Sequence, residues 1–115
     1  MSKSKFPTLV ARQGDVGIIR NPKLVATIAI PADPDGSAVA ARGEVTGHRH
    51  RFAPSDGVTL RCERPDTAAD RLLADIGGGG ATLRHEEHGD VPVQSGDELR
   101  IQRTYEYGRS ARVED

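Results

Sequence analysis

The chain has 115 residues, with 16 basic and 17 acidic side chains and a formal net charge of −1, which excludes the positive footprint of a nucleic-acid or anionic-lipid binder. Hydrophobic residues make up 36 % of it, and no apolar run approaches the ~20 residues that span a bilayer. This size is one domain, read as 1–115 with an ordered core over about 12–107 and loose or extended ends.

The N-terminal residues lack the apolar stretch of a secretory signal. Cys62 is the single thiol, so there is no disulfide framework, and a lone thiol points to a reducing cytoplasm. A virion is the alternative location if the chain is phage-encoded. With 13 glycines, 7 prolines and only Phe6, Phe52, Tyr105 and Tyr107 as aromatics, short strands joined by turns are favoured over long helices.

In chain order, the first expected strand is 15–20 (DVGIIR), closed by Asn21-Pro22. A second, 24–30 (LVATIAI), runs into the turn signal between Pro31 and Gly36. A third covers 42–52 (RGEVTGHRHRF) and stops at Pro54-Ser55-Asp56-Gly57. Segment 58–63 alternates, with Val58, Leu60 and Cys62 on one face and Thr59, Arg61 and Glu63 on the other, the pattern of a half-buried antiparallel strand. After Arg64-Pro65-Asp66, residues 71–76 are read as strand, against a rival short helix over 66–76 capped by Asp66. The glycine run 77–80 is read as a hairpin tip, followed by a strand over 81–85. Beyond the turn signals at 92–97, segment 97–107 puts Leu99, Ile101, Arg103, Tyr105 and Tyr107 on a single face. About seven antiparallel strands in a regular beat predict an all-β fold, a single small barrel or a jelly-roll-like sandwich.

The four histidines fall in two pairs, Gly47-His48-Arg49-His50 and His85-Glu86-Glu87-His88. On a strand, residues i and i+2 share a face, so His48 and His50 present two imidazoles side by side, continued by Phe52, with Arg49 and Arg51 opposite. His85 follows Leu83 in the alternation and shares its apolar side. Two such strands would bring three ring nitrogens within reach of one ion, with His88, Glu86 or Glu87 as a fourth donor. Imidazole with or without carboxylate suits zinc, iron, manganese or nickel. The bland reading is a hydrogen-bonded surface strand and a solvated turn. The HEEH spacing is one residue short of the zinc-protease HExxH motif.

Elsewhere, Arg103 and Tyr105 are candidate ligand-binding residues, a guanidinium stacked on a phenol ring; the alternative is an arginine snorkelling at a sheet rim. Glu44 could support a metal-bound histidine or lie exposed. Cys62 is read as a small buried hydrophobe. The run 77–80 lacks the lysine and helix of a phosphate loop, so no nucleotide cofactor is expected.

Gly47-His48-Arg49-His50, with the turn Pro92-Val93-Gln94-Ser95-Gly96, resembles the cupin superfamily, small β-barrels that hold a metal with a His-x-His strand and a later Glu and His. The resemblance implies a barrel. It does not carry the ligand set across, because Pro54 and Ser55 stand where the cupin Glu would be and no histidine follows Gly96. The segments Arg12-Gln13-Gly14-Asp15-Val16, 43–51, 83–89 and 101–107 are similar to a group of small, uncharacterised bacterial and phage proteins, over about residues 12 to 115. That similarity brings no activity.

The expectation is a small metal-binding β-domain with His48, His50, His85 and His88 (or Glu86) as ligands of a divalent transition metal, catalysis left open. The alternative is a non-catalytic assembly module, a phage virion component or accessory protein, acting through oligomer contacts. A homo-oligomer or larger assembly is the expected partner; membrane and nucleic acid are not.

Overall fold

A computed structural model describes residues 6–42, 48–64 and 70–101 of the chain. In chain order the strands are β1 (Thr8–Gln13), β2 (Val16–Arg20), β3 (Ile28–Ala29), β4 (Ala38–Arg42) and β5 (Arg49–Phe52). After a 3₁₀ turn at Pro54–Asp56 come β6 (Val58–Cys62), β7 (Arg71–Ile76), β8 (Gly80–Leu83), β9 (Val91–Gln94) and β10 (Glu98–Ile101). The protein is all-β, and every strand pairing is antiparallel. No helix among the described residues is long and apolar enough to cross a membrane.

Six strands form one sheet in the order β1-β2-β10-β7-β6-β3. The first hairpin turns on Gly14 and Asp15, with Gln13 opposite Val16. Gly14 sits at φ +56°, and positive φ at the first of two central positions is what a type II′ hairpin turn needs. Two further ladders, β4-β5 and β8-β9, lie outside this sheet. They are stitched to each other where the Arg51 N–H donates to Arg84 O at 2.9 Å and the Arg84 N–H returns to Arg51 O at 2.8 Å.

Alternation decides which faces meet. Val16 and Ile18, Leu60 and Cys62, Leu72, Ala74 and Ile76, and Leu99 and Ile101 point to one side of the six-stranded sheet. Ala38, Phe52, Leu83, Val91 and Val93 join the same buried cluster from the two ladders. The ladders therefore cover that face, and Phe52, fully buried, is the largest side chain between them. Apolar area removed from water on both surfaces is the main driving term.

Several expectations need correction. Ten strands are present among the described residues rather than about seven. No sheet closes on itself; β1 and β3 are the two edges of the large one, so barrel closure is not seen. Strand 42–52 is in fact parts of two strands, with Ala38 opposite Phe52; the alanine-rich β4 lacks the branched residues that announce a strand. Segment 24–30 pairs only at Ile28–Ala29.

The run 77–80 is a corner, not a hairpin tip. The Gly79 N–H bonds Ile76 O at 3.1 Å, with Gly79 at φ +89°, and the chain leaves β7 for a strand paired elsewhere. Strands β1 and β9 fall where loose chain and a turn were expected. Pro92 does not prevent β9, because it stands exposed on the solvent side of a short ladder. By contrast, 71–76 is strand over its whole expected length. The expected strand 97–107 is seen as Glu98–Ile101; its remainder lies outside the described residues.

Ion pairs flank the large sheet on both sides. On the core side, in alternation with Ile18 and Leu99, Arg20 grips Asp97 with two bonds of 3.0 and 2.9 Å, and the Gln94 N–H donates to the same carboxylate at 2.9 Å. The outer face carries Glu98 between two arginines. Glu98, fully buried, accepts from Arg71 at 2.7 Å and Arg100 at 3.1 Å. Burial opposes its ionisation, but the bonds to Arg71 and then Arg100 outweigh that and hold its pKa below 4.5. A depressed carboxylate pKa stabilises the fold above the unfolded value and loses that contribution as pH falls through the folded one. Glu98→Gln is thus expected to flatten the loss of stability below about pH 4.5 in acid titrations followed by circular dichroism. At pH 7 it should cost roughly 1 kcal/mol, discounted because water reaches both arginines.

Candidate metal centre

The two histidine pairs reach one place by different routes. On β5, Arg49 and Arg51 face outward while His50 and Phe52 are buried, and His48 precedes the strand, half-buried. The second pair lies on the 84–90 loop that joins the paired residues Leu83 and Val91. His85 keeps to the buried side of Leu83 and is 8 % exposed.

The loop is held from two directions. Gln13, buried at the end of β1, donates from Nε2 to Leu83 O and to Gly89 O, both at 2.8 Å. These carbonyls lie at the two ends of the loop, so one amide closes its neck. From β5, the Arg49 N–H donates to Glu86 Oε1 at 2.9 Å, and the Arg51–Arg84 pair fixes the loop's first residue. Within the loop, the Glu87 N–H donates to His85 Nδ1 at 3.0 Å.

All four imidazoles meet as a result. His85 is the hub, with ring centroids 4.2 Å from His50, 4.6 Å from His88 and 5.5 Å from His48. His50 and His88 lie nearly parallel at 5.9 Å. One donor atom each from His48, His85 and Glu86 lie within 4.8 Å of one another. His50 and His88 pack against this trio without joining it at that distance. Hydrogen bonding by the Arg49 N–H, helped by the charge of His48 and His85 and opposed by partial burial, keeps the Glu86 carboxyl below its usual range. Glu87 stands 3.5 Å from His48 Nδ1.

Two further residues belong to the cluster and were not read from sequence. His50 Nδ1 lies 2.8 Å from Gln13 Oε1, and His50 Nε2 lies 3.3 Å from Asp15 Oδ1. The signal for both was the Gly14-Asp15 pair. Read as a two-residue hairpin, it puts Gln13 opposite Val16 and therefore on the core side. Arg103, Tyr105 and Glu44 lie outside the described residues. Cys62 is a buried thiol whose Sγ reaches Arg64 O at 3.3 Å.

The family model of a domain of unknown function, DUF8820, matches residues 12–103. The chain belongs to the DUF8820 family. The match takes in Gln13, Asp15, both histidine pairs and Arg103, and ends before Tyr105. No curated protein and no solved structure gives a significant match.

Replacing Gln13 with leucine would keep the volume but strip the Leu83 and Gly89 carbonyls and the His50 ring of one partner. Each buried polar group left unmade costs about 1–3 kcal/mol. Gln13→Leu should therefore lose roughly 3 kcal/mol in urea unfolding and speed hydrogen exchange in the 84–90 loop ahead of the large sheet.

Proposed function

We propose that the chain is a small metal-binding β-domain whose centre is the histidine cluster, with His48, His50, His85 and His88 (or Glu86) as the donors for a divalent transition metal. The observation that carries this reading is the convergence of all the chain's histidines, from two segments far apart in sequence, onto one hub at His85. Burying imidazoles together is unfavourable for apolar packing alone, since each ring carries a polar nitrogen that must be satisfied. An ion that takes several of those lone pairs at once gives the arrangement a purpose. Borderline imidazole with one hard carboxylate fits zinc, iron, manganese or nickel.

Loading would require movement at one point. Donors around a tetrahedral ion with bonds of 2.0–2.2 Å stand about 3.3–3.5 Å apart, and the donor atoms of His48, His85 and Glu86 lie within 4.8 Å of one another. His85 also accepts the Glu87 N–H at Nδ1. A neutral ligating imidazole carries its proton on the other nitrogen. Whichever nitrogen of His85 takes the ion, that hydrogen bond has to break.

The assembly reading keeps one supporting observation. β1 is an edge strand, and its Leu9 and Val10 are exposed, as is Phe6 just before it; Val25, ahead of the other edge strand β3, is exposed too. Apolar side chains on an unprotected edge favour pairing with another chain. On that reading the protein forms a concentration-dependent oligomer in light scattering, indifferent to chelator.

The metal reading predicts near-stoichiometric metal in protein purified without a histidine tag, lost in a His48→Ala/His85→Ala double variant. At a hundred-fold excess over Kd the ion should add about 2.7 kcal/mol, roughly 10 °C in the melting temperature of a domain this size. Absence of metal, even after reconstitution with all four candidates, would overturn the reading. In addition, zinc should shift the Glu87 amide resonance strongly and leave Asp75, on the outer face, in place.

A further inference from the structure

We propose that Asp15 is a further ligand of this centre, and that Gln13 is the positioning residue that presents His50 to the same ion. The inference rests on the metal-binding reading and extends it to the first hairpin, which the histidine pattern does not reach.

The chemistry of Gln13 decides the state of His50. Both bonds from Nε2 of Gln13 run to carbonyl oxygens, Leu83 O and Gly89 O. A carbonyl can only accept, so this end of the amide is the NH₂ group and the other end is the oxygen. That oxygen faces His50 Nδ1 at 2.8 Å, so Nδ1 carries a proton and donates. A histidine held this way turns the lone pair of its neutral ring out through Nε2, which is how a protein prepares an imidazole as a metal ligand. Among the described histidines His50 is thereby set up in the opposite sense to His85, whose Nδ1 accepts.

The position of Asp15 completes the site. Its Oδ1 stands 3.3 Å from His50 Nε2. Two donors on one tetrahedral ion are separated by about 3.3–3.5 Å, given bonds of 2.0–2.2 Å. The pair thus already has the spacing of two donors on one ion. With a proton on Nε2 the two groups form an ion pair; a metal ion held by both atoms takes the place of that proton. The His50 side chain is 2 % exposed and that of Asp15 21 %, so the carboxylate is the wetter partner and the natural point of entry. Asp15 also sits in the two-residue turn between β1 and β2, whose short span allows it little freedom to swing away.

The test is a cobalt(II) titration of the full chain, followed by the visible absorption of the bound ion. Asp15→Asn keeps the side chain's size and removes its charge. It is expected to bind cobalt 10–100-fold more weakly, with a changed band shape, while the chelator-treated protein unfolds in urea as the wild type does. Equal affinity and spectrum in wild type and variant would overturn the inference and leave the metal reading standing. A wild type that binds no cobalt would overturn both. Should Asp15→Asn fail to fold, the carboxyl carbon resonance of Asp15 in the wild type decides instead: it moves on zinc addition if the carboxylate ligates and stays if it does not. For Gln13, the nitrogen resonances of the metal-free wild type should show His50 protonated at Nδ1, and Gln13→Met should lose that signature. An unprotonated Nδ1 in the wild type would remove Gln13 from the proposal.

Discussion

One buried amide holds the candidate site to the rest of the protein. Gln13 sits at the end of an edge strand of the large sheet, and its Nε2 closes the neck of the 84–90 loop through Leu83 O and Gly89 O. Its oxygen accepts the hydrogen bond of His50 Nδ1, from β5. Three separate pieces of chain, β1, β5 and the loop after β8, are joined at one side chain with every polar atom used. A fully satisfied buried network specifies a single arrangement, because each alternative leaves a group unpaired in a low-dielectric interior. The histidine cluster inherits its geometry from that constraint.

The rest of the fold keeps competing charge away from the cluster. Thirteen arginines would make a poor setting for a cation, yet on the described strands nearest the site they point outward. Arg49 donates its backbone N–H to Glu86 while its guanidinium turns to Asp33 and Asp35, at 2.8 and 3.1 Å. Asp33 also binds Arg42. The Ser37 N–H, together with Arg49, brings the Asp35 carboxyl down to about 2. The period-2 alternation of β5 thus does two things at once: it delivers His50 to the interior and turns Arg49 to carboxylates and Arg51 to the Ser37 hydroxyl on the outer side. On the outer face of the large sheet, Arg71 and Arg100 brace Glu98. Among the described residues, the buried polar groups besides His50 and His85 are Gln13, Ser37, Asp97 and Glu98, each held by a hydrogen bond.

Much of this was legible along the chain wherever one strand explains itself. The alternation of 58–63 placed Leu60 and Cys62 inside, that of 48–52 placed His50 with Phe52, and that of 81–85 placed His85 with Leu83. Turn residues marked the ends of β2, β5 and β6. Hidden from such reading were elements whose character comes from a partner: the alanines of β4, the two-residue β3, and β9 with its Pro92. Hidden also was Gln13, a polar residue at a core position. Its burial becomes favourable only when three acceptors and donors from elsewhere surround it.

The sequence by itself determined an all-β chain, the faces on which its imidazoles stand, and the two segments that supply them, because side-chain direction on a strand is a local property of backbone geometry. Only the tertiary structure decided that both pairs share one hub, that β1 returns to clamp the loop, and that Asp15 stands beside His50. These are meetings between residues tens of positions apart. They depend on which strands pair and on how the two ladders lie over the large sheet, and burial of the shared apolar cluster, rather than any local preference, selects that arrangement.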